Sequence, residues 1–354
     1  FFLLFFSIKK KEIFNNSFLI SLISLILIMF SNVNRPDALL YHLPFSQILN
    51  DHKILIGISN INEGFGHISI FQYIASFFNN YLFKTHGLLI PISLVSSFFF
   101  VYCFKTFKSN FKVKEKSFFA FIVFLLFLIS LYSFNRYSNY GNDAQVHIYY
   151  FLFVILLLKY LFFNETNNEL KKLIILSLFL YFLKPTFLVV SLIPFFIFFR
   201  YPNSQKIFFS KFLLFYLFFL NIWLLKNFLI TGCIIYPIQL TCFDNVLWTN
   251  ANLQNYLLTA EAWAKGWPDF KNDINIDKYE YTKNFFWFKT WINNHFILII
   301  NKVAPILFLF FILFIFFKFF KCLEKNKKNF DNKFLFFSFL FSIFFVLLWL
   351  LKFP

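Results

Sequence analysis

An acid, a phenol and an imidazole stand close together in Pro36-Asp37-Ala38-Leu39-Leu40-Tyr41-His42-Leu43-Pro44. On a helix, Asp37 and Tyr41 lie four apart and share a face, with His42 at its border. A carboxylate in such company can take a proton from a hydroxyl, while Tyr41 and His42 orient the partner or the base. Arg35 adds a cation. The plainer alternative is that Arg35 and Asp37 end a helix and pair weakly, with Pro44 breaking the next one. The segment follows the first long apolar run of the chain, and charge beside lipid is costly enough to mark a functional candidate.

Three further clusters carry polar chemistry. In Asn60, Asn62, Glu63, Gly64, Phe65, Gly66 and His67, the glycines permit a tight turn, and Glu63 and His67 can face a site; an ordinary Gly-rich turn at the membrane surface is the plainer reading of each residue taken singly. Tyr140, Gly141, Asn142 and Asp143 precede an apolar run that has His147 one turn in. Asp143 can cap that helix, serve chemistry, or do both. The last cluster is cationic. Lys184 lies inside an apolar block, and Lys226-Asn227 follows Trp223. A phosphate would need such charges; snorkelling to lipid headgroups is the alternative for each. No phosphate-binding GxxxxGK[ST], HExxH, GxSxG or metal-spaced Cys/His set occurs.

The elements that must position these residues are membrane helices. Hydrophobic residues make up 60% of the 354, which no soluble domain sustains. The 66 Phe reflect compositional bias in filling apolar positions rather than a Phe-specific function. Net charge is +17, but the Lys residues fall in short loops between apolar runs, so the charge reports topology and nucleic-acid binding is not expected. Spans are expected at 13–31, 87–104, 117–134, 146–163, 207–229, 295–317 and 334–351. Block 171–199 is expected to be a hairpin of two short helices turning at Lys184-Pro185-Thr186. That makes about nine spans in one domain, residues 1–354. Clusters at Lys9–Lys11, Lys105–Lys116, Lys171–Lys172, Arg200–Lys206 and Lys318–Lys333 are expected inside, so the N-terminus is cytoplasmic. Loops 32–86, 135–145 and 231–294 and the turn at 184–186 are then external. Segment 66–83 is expected to be an interfacial or partly buried helix. The last external loop carries Trp248, Trp263, Trp267, Trp287 and Trp291, which suit an interface belt or a sugar-stacking surface. Cys233 and Cys242 read either as a disulfide or as two unpaired thiols at the membrane edge. Lys9-Lys10-Lys11 and the apolar run after it read as an uncleaved anchor, and both chain ends read as cut.

Four stretches, in order and on one side of the membrane, resemble the integral-membrane glycosyltransferases of the GT-C superfamily, and most closely its bacterial members that open alike. Asp37-Ala38-Leu39-Leu40-Tyr41-His42-Leu43-Pro44 resembles the first-loop motif, whose acid is catalytic in that family. Asn142-Asp143 is similar to the second-loop acid. Leu183-Lys184-Pro185-Thr186 resembles the Lys-containing turn between two short helices. Trp223 to Pro237, with Lys226-Asn227, Thr231-Gly232 and Tyr236-Pro237, looks like the family's W…(R/K)N…TG…YP stretch. The likeness covers about the first two thirds of the chain. Ala38 stands where many relatives carry a second acid, and Glu63 where many carry Arg before Phe-Gly.

The resemblance implies an all-α polytopic, GT-C-like protein of a bacterial inner membrane, acting in cell-envelope polysaccharide synthesis. It would move a sugar from a polyprenyl-phosphate donor to a glycan, lipid or protein acceptor at the outer face. Asp37 would be the base. Lys184, with Arg35, would stabilise the leaving phosphate, and Tyr41, His42 and Asp143 would orient the acceptor or the base. Glu63 and Lys226 complete the expected substrate-binding set. No cofactor is assigned; a divalent metal between Asp37 and Asp143 is the option left open. The rival expectations are a polysaccharide polymerase or ligase, a lipid-linked-sugar transporter or flippase, and a non-catalytic membrane subunit.

Overall fold

A computed structural model describes residues 38–52, 54–67, 69–113, 116–133, 140–163, 167–200, 211–250, 252–267, 277–283 and 285–319, with isolated positions elsewhere. Arg35 and Asp37 lie outside the described residues, as do nearly all of the expected first and last spans. The chain divides into two compact units, 1–250 and 251–354. It is mostly helical, with no strand among the described residues.

In the first unit, a π-helical turn, Ala38–His42, leads into α1 (Leu43–Asp51). Pro44 falls in the first turn of α1, where its missing N–H has no helical partner to lose. Next comes α2 (Ile70–Ser76), opened by a capping box in which Ser69 and Gln72 satisfy each other's backbone donors. Seven residues rise about 10 Å, far too little to cross a bilayer. This agrees with a partly buried helix in 66–83.

The membrane helices follow. A 3-10 turn, Lys84–Leu89, runs into α3 (Ile90–Phe111), which pairs with α4 (Ser117–Tyr132). Then α5 (Asp143–Phe163) packs on α3 and on α6 (Asn167–Leu183). Lys184 ends α6 in an extended conformation, φ −152° and ψ 123°, because a residue before proline is driven out of the helical region. A 3-10 segment, Pro185–Ser191, and α7 (Leu192–Arg200) then return along α6, giving the expected turn. Last is α8 (Lys211–Thr231). Buried Leu178, Tyr181 and Phe182 of α6 meet Tyr216 and Trp223 of α8.

One end of this unit is tied by hydrogen bonds between chain-distant loops. Gly57 N–H donates to Leu229 O at 2.9 Å, Asn60 Nδ2 to Trp248 O at 2.8 Å, and Asn250 Nδ2 to Ser59 O at 3.0 Å. The segment 57–63 and the stretch after α8 therefore share an end, as the expected topology requires. Cys233 and Cys242 form a disulfide there, which settles the sequence alternative.

Gly64 and Gly66 serve close approach, since neither has positive φ. A Cβ on Gly64 would sit 2.9 Å from Tyr41 Cγ, and one on Gly66 would collide with the Tyr236 ring.

The second unit holds α9 (Leu253–Ala264), α10 (Lys278–Lys283) and α11 (Trp287–Phe319). Tyr281, Trp287 and Trp291 are buried together as its core, so these two tryptophans are packing residues and offer no sugar-stacking face. Lys265 is buried with them, its Nζ 2.6 Å from Glu261 Oε1 and 5.0 Å from the centre of the Trp287 ring. α11 begins eight residues before the expected span because Trp287 and Trp291 extend the helix into this core. Its 33 residues rise about 50 Å, more than the roughly 30 Å of hydrocarbon.

Among the described residues, four helices are long and apolar enough to cross a membrane: Lys84–Phe111, Asp143–Phe163, Leu213–Thr231 and Trp287–Lys318. The apolar helices Ser117–Tyr132 and Pro185–Ile197 are shorter. The composition and these helices make this a helical membrane protein.

Candidate active site

A cavity of about 270 Å³ opens at the tied end of the first unit. It draws one wall from each of four places far apart in the chain: Tyr41 and His42, His67, Asn142 and Asp143, and Lys184. Ala38, the residue after Asp37, also lines it.

Local chemistry explains each placement. The π-helical turn before α1 presents Tyr41 beside His42, their rings 4.3 Å apart. Asp143 is the first residue of α5, where a carboxylate suits the positive end of the helix dipole. Lys184 stands at the proline-enforced break between α6 and the returning 3-10 segment. Its Nζ lies 3.0 Å from Asp143 Oδ1, and the two side chains stay 48% and 63% exposed. A pair this open contributes little to stability and exchanges partners readily. His67 is half-buried; burial and the Lys184 ammonium push its pKa down to about 4, so its imidazole is neutral at physiological pH.

The cavity gathers Tyr41, His42, Asp143 and Lys184 from the expected site set, but not Glu63 or Lys226. Glu63 is half-buried and takes part through its backbone: its carbonyl accepts from Tyr236 Oη at 3.0 Å, bracing the loop beneath Tyr41. Lys226 is sealed, only 8% exposed, with Nζ 3.6 Å from the centre of the Trp223 ring and 6.0 Å from that of Tyr73. Cation–π attraction holds it there, and it does not line the cavity.

One residue escaped the sequence reading. Gln72 is buried; its Nε2 lies 2.9 Å from His42 Nδ1, its Oε1 3.0 Å from Ser69 N and 3.4 Å from Asn142 Nδ2. The sequence signal for it was Ser69-x-x-Gln72, a capping-box spacing directly before an apolar run. His67, flagged by the Gly-rich cluster, belongs in the site as a cavity-lining residue.

Among the described residues, no three His, Cys, Asp or Glu side chains converge as a metal site would require. Of the two carboxylates between which a divalent metal is the open option, Asp37 lies outside the described residues and Asp143 pairs with Lys184 Nζ at 3.0 Å.

A second, apolar cavity of about 410 Å³ lies along the same hairpin, lined by Leu178, Tyr181, Leu188, Phe195, Tyr216 and Leu220 among others. The α6 turn therefore carries a charged mouth at Lys184 and an apolar groove below it.

No curated protein and no solved structure matches the chain. A family profile does match, over residues 2–354, and on that extent the chain belongs to the family described as Domain of unknown function (DUF8201).

Proposed function

We propose that this protein is a GT-C-like glycosyltransferase of about nine spans, which moves a sugar from a polyprenyl-phosphate donor to a glycan, lipid or protein acceptor at the outer face of a bacterial inner membrane. The observation that carries the reading is the convergence of four chain-distant polar clusters on one cavity. The apolar groove beside it suits an isoprenoid tail. The Cys233–Cys242 disulfide supports the external placement of that end, because such bonds persist in oxidising compartments.

In this reading, Lys184 meets the donor phosphate, releasing Asp143 from a pair too exposed to resist exchange. Asp143 then accepts a hydrogen bond from a sugar or acceptor hydroxyl. Asp37 immediately precedes cavity-lining Ala38 and supplies the base. The acceptor oxygen attacks the anomeric carbon as Asp37 takes its proton. The carbon–oxygen bond to phosphate breaks, and the polyprenyl phosphate leaves with the electron pair beside Lys184.

The test is Asp37→Asn in isolated membranes supplied with a radiolabelled polyprenyl-phosphate sugar. Asn keeps shape and hydrogen bonding but cannot take a proton. Transfer should fall by about 10²–10⁴-fold with expression unchanged. Full transfer by the variant would remove Asp37 from the chemistry. Movement of intact donor across sealed vesicles by the wild type, without transfer, would replace the reading with a flippase.

A further inference from the structure

We infer that His42 is locked as the Nε2–H tautomer by Gln72 and serves the cavity as a hydrogen-bond donor to a phosphate oxygen, never as a base. The donor role rests on the glycosyl-transfer reading; the tautomer does not.

The backbone N–H of Ser69 can only donate, and it lies 3.0 Å from one end of the Gln72 amide. That end is therefore the carbonyl oxygen, and the orientation of an amide that is otherwise ambiguous is settled. Asn142 Nδ2 lies 3.4 Å from the same oxygen. The other end of Gln72 is then the NH₂ group, a donor. It stands 2.9 Å from His42 Nδ1, so Nδ1 must accept and carry no proton. A neutral imidazole with a bare Nδ1 has its proton on Nε2.

Burial makes the lock firm. Gln72 and His42 are 6% and 8% exposed, so water has little access to substitute for either partner. Protonating Nδ1 would set two donors against each other in that space. Whatever His42 offers the cavity it offers from Nε2, as a donor. Lys184 and His42 line the same cavity, which puts an ammonium and an imidazole on the walls of one site, the two kinds of donor a phosphate takes. Gln72 is a positioning residue: it acts only through His42.

The experiment labels histidine with ¹⁵N in the full chain in lipid nanodiscs, and identifies the His42 signals as those lost in His42→Asn. The wild type should show an unprotonated Nδ1 and a protonated Nε2 at pH 7.5. In Gln72→Glu the carboxylate can accept from both Ser69 and His42, so a proton should appear on Nδ1. A protonated Nδ1 in the wild type, or averaging between tautomers, would overturn the lock. The role is read from transfer rates. His42→Ala should lose about ten- to hundredfold. His42→Gln, which returns an N–H donor but no base, should recover most of that loss. Equal losses in the two variants would overturn the donor role even with the tautomer as stated. Absence of transfer by the wild type from every donor would instead remove the glycosyl-transfer reading and the phosphate role with it, leaving the tautomer to be judged by the spectra.

Discussion

Two lysine–carboxylate pairs, one in each unit, have opposite fates. Lys265–Glu261 in the second unit is the shorter, at 2.6 Å, with its side chains 3% and 17% exposed. Trp287 lies against its ammonium, and Tyr281 Oη donates to the Lys265 carbonyl at 3.0 Å. Lys184–Asp143 is longer, at 3.0 Å, and lies largely open beside a cavity. By distance alone the first pair would be the more important. Burial reverses that: a sealed pair has no partner to exchange and only holds structure, while an open one can trade its carboxylate for a substrate phosphate. Lys226, sealed by Trp223 and Tyr73, stands with the structural group although it is a lysine near the same end of the molecule.

The two pairs should differ most when Lys184 is changed. Lys184→Met should lower sugar transfer by about 10²–10³-fold, the usual effect of removing one electrostatic stabiliser of a transition state. Its stability should change by no more than about 1 kcal/mol, as for exposed pairs generally. Transfer in membranes and thermal unfolding of the purified protein measure the two sides. Lys265→Met should do the reverse. It removes the ammonium from a mostly buried Glu261 and should destabilise the second unit by about 3 kcal/mol, near the low end for broken buried pairs because some exposure remains. Limited proteolysis within 252–267 would report it.

A smaller effect is expected at the loop that floors the cavity. Gly66→Ala should force the Tyr236 ring away and disturb its hydrogen bond to Glu63 O, costing about 1–3 kcal/mol as overpacking does. A thermal-shift measurement checks it.

The sequence made the helices and the Lys184 turn legible because apolar run length and proline act locally. It also made Tyr41, His42, Asp143 and Lys184 legible as one group, since topology alone sends them to the same side. The Trp223–Lys226 stack was less visible: i and i+3 share a helix face, but only the tertiary approach of Tyr73 closes the ammonium off. Gln72 was hidden for a related reason. Its capping role is local and readable, but its reach to His42 crosses 30 residues of chain. The aromatic run of the last loop was ambiguous because the same tryptophans suit an interface, a sugar or a core. Burial chose the core for Trp287 and Trp291.

An effect confined to acid pH is expected at His67, which lines the cavity with Lys184. Its pKa is pushed from 6.5 to about 4 in the folded state. Between those values the unfolded chain binds a proton that the folded chain does not. Stability therefore falls as pH drops through that window and flattens below it. His67→Asn should make the thermal midpoint less dependent on pH between 6.5 and 4.

The most direct measurement asks whether the open lysine holds a phosphate. The purified protein would be titrated with a polyprenyl phosphate carrying no sugar, and its thermal midpoint followed. A ligand that binds the folded state raises the midpoint with concentration. The account predicts this rise for the wild type and for Lys226→Met, and its loss in Lys184→Met. An equal rise in the wild type and Lys184→Met, or a loss confined to Lys226→Met, would contradict it.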